Sequence, residues 1–152
     1  MSVSAPGFSA ETRITATDRR PVMLLTVDVP FDPEGVRVAI DAAGEAGSEL
    51  LICDVIPLAV GNPASRPGRS FGDHDALLSS DAAARQAVER GVRTAEYVFH
   101  NPRPERAALE IARQRNVGLL VFAPDAERYG RRRHARAARR IRRGADCLVW
   151  PS

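Results

Sequence analysis

The chain has 152 residues, 44% of them apolar, which suits a single globular domain with a core of its own. No segment is apolar over the length that a transmembrane helix needs, and residues 1–20 lack the basic start and apolar run of a secretory signal. We therefore expect a cytoplasmic protein with no membrane partner, organised as a mobile tail over residues 1–20 and one α/β domain over residues 21–152.

The first half of the domain is predicted to begin with an apolar strand, Pro21–Val29. A helix follows, for which Asp32 is the expected cap and Pro33 the first residue. A second apolar strand covers Ser48–Ile56. Residues 58–74 are rich in glycine, proline and serine and lack periodicity, so they are predicted to form a long loop.

The second half continues the alternation of strands and helices. One helix is predicted from Asp75, with Leu77, Ser80, Ala84 and Val88 at the spacing of one buried face. The later elements are, in order, a strand at Thr94–His100, a helix that starts at Asn101–Pro102, a strand at Leu119–Phe122, a helix over 131–145 and a strand at Asp146–Trp150. Five strands alternating with four helices predict a single open parallel sheet with helices on both faces.

The last helix carries most of the positive charge. Eight arginines lie between Arg131 and Arg143, while His134, Ala138 and Ile141 recur at the spacing of a buried face. Residues 128–152 hold nine arginines against one acid, a net +8, whereas residues 1–127 hold 13 against 18, a net −5.

Three interpretations of this basic helix remain open. It is a solvated face, a phosphate-binding element of a nucleotide pocket acting through Arg132 or Arg136, or a surface for nucleic acid or another polyanion. No aromatic residue interleaves with the arginines to stack bases, so sequence-specific recognition of RNA or single strands is not expected.

The remaining candidate chemistry predicts no catalytic residue and no metal site. The three histidines have no metal-ligand spacing, and His134 is expected to pack on the apolar face of its helix. Cys53 and Cys147 are expected to be small buried hydrophobes. The sequence contains no nucleophile elbow, Walker loop or Cys-x-x-Cys, so no enzyme reaction is predicted.

Residues 21–150 resemble the universal stress protein family in five fragments that occur in register. They are VMLLTVDV, which contains Asp28; ELLICDVIP, which contains Val55; FHNPRPERAALEIA; GLLVFAPD, which contains Phe122; and RRGADCLVW. The resemblance implies the strand order 3-2-1-4-5, which places the ends of the first and fourth strands side by side.

Members of this family that bind ATP carry Gly-x2-Gly-x9-Gly, followed by Ser or Thr, after the fourth strand. Here Ala123 stands for the first glycine, Pro124 and Asp125 follow it, and Ala135–Arg136 stands near the final pair. Pro124 lacks an amide donor, and Asp125 brings a negative charge to the position of the phosphates. Asp28, Val55 and Phe122 are retained at positions that the resemblance assigns to the adenosine side.

These features lead us to expect a universal-stress-protein-like domain with a degenerate nucleotide site, acting as a dimeric stress-linked regulatory or binding module. No cofactor is expected, with ATP or AMP bound through the arginine-rich helix as the first alternative and polyanion binding as the second. The resemblance also implies a homodimer in which the strand Asp146–Trp150 pairs with its twofold mate, next to an exposed Trp150.

Overall fold

The computed structural model describes residues 19–57 and 70–151, and of residues 70–73 the backbone only. The described strands are β1 (Val22–Thr26), β2 (Leu50–Ile56), β3 (Thr94–His100), β4 (Leu119–Phe122) and β5 (Leu148–Trp150). The described helices are α1 (Pro33–Ala46), α2 (Ser70–Glu89), α3 (Pro104–Gln114), α4 (Ala126–Tyr129) and α5 (Arg131–Gly144). The predicted tail over residues 1–20 lies outside the described residues, apart from Arg19 and Arg20.

The five strands form one parallel sheet in the order β3-β2-β1-β4-β5. The central strand β1 is buried along its whole length, and its Leu24 lies opposite Ile52 of β2 and Val121 of β4. The chain runs outward from β1 to β3 and then returns to add β4 on the other side. The gap between β1 and β4 is therefore the topological switch point, where ligands of open α/β sheets bind. The predicted fold class is confirmed.

Each face of the sheet buries its own apolar cluster. Met23 and Phe122 belong to the cluster under α3 and α5, which contribute the alanines at 107, 108, 112, 137 and 138. Leu24 and Val121 belong to the cluster under α1 and α2. Small side chains on the helices allow them to pack close to the strands, which explains how a chain with only 5% aromatic residues fills two layers.

Helix α2 begins earlier and turns a different face inward than predicted. It starts at Ser70, so the prediction of a loop up to His74 is wrong for residues 70–74, and residues 58–69 lie outside the described residues. Ser80 and Ala84 are buried as predicted, but Leu77 is 48% and Val88 61% exposed. Because α2 packs near the edge strand β3, the described chain has no further element to cover the rim of the helix.

The first and last strands are shorter than predicted: β1 covers Val22–Thr26 instead of Pro21–Val29, and β5 covers Leu148–Trp150 instead of Asp146–Trp150. Two helices also differ from the sequence prediction. Helix α3 starts at Pro104, not at Asn101–Pro102, because the Asn101 side chain accepts a hydrogen bond from the Arg103 backbone N–H at 2.9 Å and holds a turn there. The four-residue helix α4 precedes α5 and was not predicted, since one turn is too short to show a periodic pattern.

Trp150 is another point where the prediction was wrong. It was expected to be exposed, but it is half-buried and packs against the cluster under α1. Among the residues that the structure describes, no helix combines the length and the apolar character needed to cross a membrane.

Candidate functional site at the carboxyl edge of the sheet

The loops that follow β1 and β4 are joined across the switch point by backbone hydrogen bonds. The Asp32 N–H donates to the Ala123 carbonyl at 2.8 Å, and the Asp125 N–H donates to the Pro30 carbonyl at 2.9 Å. Phe31 and Pro124 form an antiparallel bridge between these two bonds. The crevice between β1 and β4 is therefore spanned by the chain itself.

The amides of the β4 loop are engaged within the protein. The Ala123 N–H donates to the Leu25 carbonyl at 2.8 Å, Pro124 has no N–H, and the Asp125 N–H is bonded to Pro30. The Glu127 N–H donates to the Asp125 carboxylate at 2.9 Å, which caps α4. A phosphate cradle needs backbone N–H groups that point at the ligand. In the segment that the sequence resemblance aligns with the glycine cradle, the N–H groups of Ala123, Asp125 and Glu127 are therefore bonded to partners within the chain.

The methyl group of Ala123 fills the space between the β4 loop and α1. Ala123 is 1% exposed and faces Gly35 in the first turn of α1. A Cβ placed on Gly35 would overlap the Ala123 side chain and would lie 3.3 Å from the Trp150 ring. The side chain at the first predicted cradle position is thus part of the packing between α1 and β4.

Asp28 and Val55 lie together at the ends of β1 and β2. Asp28 has a φ of 57°, a left-handed conformation that is uncommon for residues other than glycine. Its N–H donates to the buried Asp54 carboxylate at 2.8 Å, and the Thr26 hydroxyl donates to the Val29 carbonyl at 2.7 Å. These bonds hold the turn after β1 in place. Val55 has no exposed surface.

Phe122, predicted as an apolar surface for a base, is covered by two aromatic rings of this chain. It has no exposed surface, and its ring centroid lies 6.3 Å from that of Tyr129 and 5.1 Å from that of His134. Burial raises the pKa of Tyr129 and lowers the pKa of His134, whose neutral form is therefore favoured. The prediction that His134 packs on the apolar side of its helix is confirmed.

An arginine-lined cleft of about 370 Å³ opens beside these rings, between α3 and α5. The described residues that line it are Pro57, Pro102, Pro104, Glu105, Tyr129, Arg133, Arg136 and Arg140. The Arg133 guanidinium lies 4.4 Å from the centroid of the Tyr129 ring, and an Arg140 nitrogen lies 3.8 Å from a Glu105 carboxylate oxygen. Three guanidinium groups against one carboxylate make this cleft attractive to an anion.

The six residues predicted to bind a cofactor fall into three places. Four of them lie at the ends of β1, β2 and β4: Asp28, Val55, Phe122 and Ala123. Of these four, Val55, Phe122 and Ala123 are buried. Arg136 lines the cleft, whereas Arg132 is exposed and is not among its lining residues.

Sequence reasoning missed Tyr129, Arg133 and Gly130. The spacing of Tyr129 and Arg133, four residues apart, was the signal for their stacking. Gly130 is the N-cap of α5 and has a φ of 103°. Helix α5 starts at Arg131, as predicted, and ends at Gly144.

The remaining polar chemistry is sparse. Within the described residues, no group of three or more His, Cys, Asp or Glu side chains is arranged to hold a metal ion. Burial raises the pKa of the Cys53 thiol to about 12, so it stays protonated and unreactive at neutral pH. Cys147 is half-buried, not fully buried as predicted.

No family model matches the sequence, and none of the curated proteins is significantly similar to it. Solved structures are similar in fold. A protein of the universal stress protein family from Burkholderia pseudomallei has a TM-score of 0.66 at 17% identity, over 88% of this chain and 95% of that one. A universal stress protein from Archaeoglobus fulgidus in complex with dAMP has a TM-score of 0.62 at 16% identity, over 85% and 94%. A universal stress protein in complex with cAMP has a TM-score of 0.60 at 16% identity, over 86% and 94%. The chain has the fold of the universal stress proteins.

Proposed function

We propose that this chain is a diverged universal stress protein whose conventional ATP site is closed, and that it acts as a cytoplasmic, dimeric, stress-linked regulatory or binding module. The observation that carries the proposal is the backbone pairing of Pro30–Asp32 with Ala123–Asp125 across the switch point. Phosphate binding in the usual mode would have to break these bonds, and Asp125 would repel the phosphates.

A second candidate function is supported by the arginine-lined cleft. Arg133 and Arg140 are each held by a neighbour, Tyr129 and Glu105, while Arg136 lies in the same cleft with no ion-pair partner among the described residues. Two proteins of the same fold were solved with dAMP and with cAMP. Nucleotides with one phosphate are therefore the ligands to test for this cleft, with Arg136 as the residue that contacts the phosphate.

A thermal-shift series with ATP, AMP, dAMP and cAMP separates the two candidates. A ligand with a micromolar Kd adds about 4 kcal/mol of stability at a thousandfold excess, which raises the melting temperature by several degrees. We expect ATP at millimolar concentration to give almost no shift. A large ATP shift would contradict the closed site.

The variant Arg136→Gln tests whether AMP binds in the cleft. Its matched control is Arg139→Gln, which removes the same charge one turn away at an exposed residue that is not among those lining the cleft. An AMP shift that is lost in Arg136→Gln and kept in Arg139→Gln supports the second candidate. An AMP shift that survives both substitutions rules out Arg136 as the phosphate contact.

A further inference from the structure

The eight arginines of α5 divide into two groups according to their contacts. Four have partners within the chain: Arg131 pairs with Glu127 at 3.3 Å, Arg133 stacks on Tyr129, Arg140 pairs with Glu105 and Arg142 donates to the Pro151 carbonyl at 3.2 Å. The side chains of the other four form no ion pair or hydrogen bond with the described residues, and all are exposed: Arg132, Arg136, Arg139 and Arg143. We call these four the arginine row.

The arginine row occupies one narrow side of the helix. Its residues are spaced by four, three and four positions, so at 100° per residue they lie within about 60° of one another around the axis. The buried Ala137, Ala138 and Ile141 lie on the opposite side. The paired arginines flank the row on both sides. The row therefore faces outward, with only Arg136 also lining the cleft, and is about 16 Å long.

This arrangement is unfavourable for the helix on its own. Like charges three and four residues apart repel one another, and α5 has no acidic residue in its first turn to offset Arg131 and Arg132 at the positive end of the helix dipole. Acidic residues occur elsewhere on the surface, where Asp41, Asp75 and Asp146 pair with arginines. The row has no such partner in the described structure, which leaves its charge available to an external anion.

The surroundings of the row favour one class of polyanion. The apolar residues of α5 face the core, so the helix has no exposed apolar side to insert into a membrane surface. Tyr129, just before α5, is 5% exposed and lies under Arg133, and the ring of His134 packs against Phe122 and Tyr129. Neither ring is free to stack on unpaired bases. A rigid, straight row of guanidinium groups fits a regular line of phosphates, and arginine binds phosphate oxygens in a bidentate manner.

We infer that the arginine row of α5 binds the sugar–phosphate backbone of double-stranded nucleic acid without reading its sequence. A row of about 16 Å spans about half a helical turn of the duplex, so its four guanidinium groups can reach phosphates on the side of the duplex that they face. Contacts to phosphates position a protein but carry no sequence information. The site differs from the cleft between α3 and α5, with which it shares only Arg136.

The inference is tested by the anisotropy of a fluorescent DNA duplex of about 20 base pairs, titrated with the full chain at several salt concentrations. Four phosphate contacts predict a slope of log K against log salt of about −3.6, which is a loss of about a hundredfold in affinity between about 50 and 200 mM salt. The row variant Arg132→Gln, Arg139→Gln, Arg143→Gln leaves the cleft intact. It is expected to reduce the slope to about −0.9.

The control variant removes three exposed arginines that lie elsewhere and form no ion pair with described residues: Arg37→Gln, Arg85→Gln, Arg93→Gln. It has the same net charge as the row variant and is expected to bind the duplex with the wild-type slope. Glutamine is a good helix former, and circular dichroism verifies that α5 remains folded.

Three results would overturn the inference. The first is that the wild type does not bind the duplex at about 50 mM salt, and the second is that the row and control variants lose affinity for the duplex equally. The third is that the wild type binds a single strand of the same length, or vesicles of anionic lipid, more tightly than the duplex. Because the cleft shares only Arg136 with the row, AMP bound there would compete for one of the four contacts. Duplex binding that excess AMP abolishes would place the duplex in the cleft and contradict the inference.

Discussion

Gly35 allows α1 to approach the end of β4 so closely that a methyl group does not fit between them. A Cβ at this position would overlap Ala123 and contact Trp150. We expect Gly35→Ala to lower the free energy of unfolding by about 1–3 kcal/mol, because the helix must move away from a packed core. Urea denaturation measures the change.

The matched control for this substitution lies in the same helix. A Cβ on Gly44 would lie 3.7 Å from a Val92 methyl group, which is an ordinary contact, and Gly44 has no positive φ. Gly44→Ala is expected to raise the free energy of unfolding by about 0.5–1 kcal/mol. If both substitutions stabilise the protein, the described packing of α1 on β4 is wrong.

His134 makes the stability of the protein depend on pH. Burial lowers its pKa in the folded state below the ordinary value of 6.5, although the charge of Asp32 opposes the shift. Below about pH 6.5 the unfolded chain therefore binds more protons at this residue than the folded chain does. This contribution to stability is fully present above about pH 6.5 and is lost as the pH falls toward the folded pKa.

His134→Phe tests this dependence because it keeps an aromatic ring against Phe122 and Tyr129 while removing the titration. We expect the melting temperature of the wild type to fall more between about pH 8 and pH 5.5 than that of the variant. The raised pKa of Glu96 acts in the opposite direction, but it is common to both proteins and cancels in the difference. Equal falls in both proteins would show that the imidazole does not contribute.

The helices show which local signals predicted elements and which did not. Pro33 opens α1 and Asp32 accepts a hydrogen bond from the Gly35 N–H at 3.3 Å, as the cap-and-proline pattern predicted. The same pattern at Asn101–Pro102 marks a turn, and Pro104 opens α3. Pro102 and Pro104 can each serve as the first residue of a helix, where no backbone N–H is needed. The position of α3 in the tertiary structure therefore decides which of the two opens it.

Arg139 of the arginine row should destabilise α5. Arg139 lies three residues from Arg136 and Arg142 and four from Arg143, so removing its charge relieves repulsion between like charges. Arg139→Gln is expected to raise the free energy of unfolding by about 0.2–0.5 kcal/mol at low salt, and the gain should vanish in concentrated salt. Chemical denaturation at two salt concentrations measures both effects.

The comparison variant for this prediction is Arg37→Gln in α1. Arg37 is flanked by Glu34 three residues before it and by Asp41 four residues after it, so removing its charge should cost about 0.2–0.5 kcal/mol. A loss of stability in Arg139→Gln would mean that this arginine has a stabilising partner.

The candidate site could be predicted only in part. The changes in the β4 loop, Pro124 and Asp125, were visible in the sequence because a missing amide and an added charge have local consequences. That loop pairs with Pro30–Asp32, which lies about 90 residues earlier in the chain. Phe122 is covered by Tyr129, which lies 7 residues later. No periodic pattern reports such contacts, since they depend on how loops fold over the edge of the sheet.

At the scale of the whole molecule, alternation of strands and helices was sufficient to predict a parallel sheet. The strands β1 and β2 are buried along their whole length and are apolar except for Thr26 and Asp54, as expected for a sheet covered on both faces. The strand order came from the family resemblance, because alternation alone leaves several orders open. The inward face of α2 was predicted incorrectly because Leu77 and Val88 lie near an edge of the sheet, where an apolar side chain can stay exposed.

The proposed homodimer depends on the outer edge of β5. In the described structure β5 pairs only with β4, and its Leu148 is 74% exposed, so an uncharged strand edge is open to a second copy. Antiparallel pairing of this edge with its twofold mate would be self-complementary and closed. Trp150 is a poor probe of this interface, because it also packs against α1 and Trp150→Asp would weaken the fold of each subunit.

Leu148→Asp is the sharper test, since it places a carboxylate at the seam and leaves the core unchanged. In light scattering at tens of micromolar, we expect the wild type to have the mass of a dimer and Leu148→Asp to have the mass of a monomer. Under conditions where both proteins are monomeric, their melting curves should be the same. The control is Val98→Asp, at a residue 49% exposed on the opposite edge strand β3, and it should remain dimeric. A dimer that dissociates in Val98→Asp and persists in Leu148→Asp would place the interface on β3, and a wild type that is monomeric at this concentration would exclude the dimer.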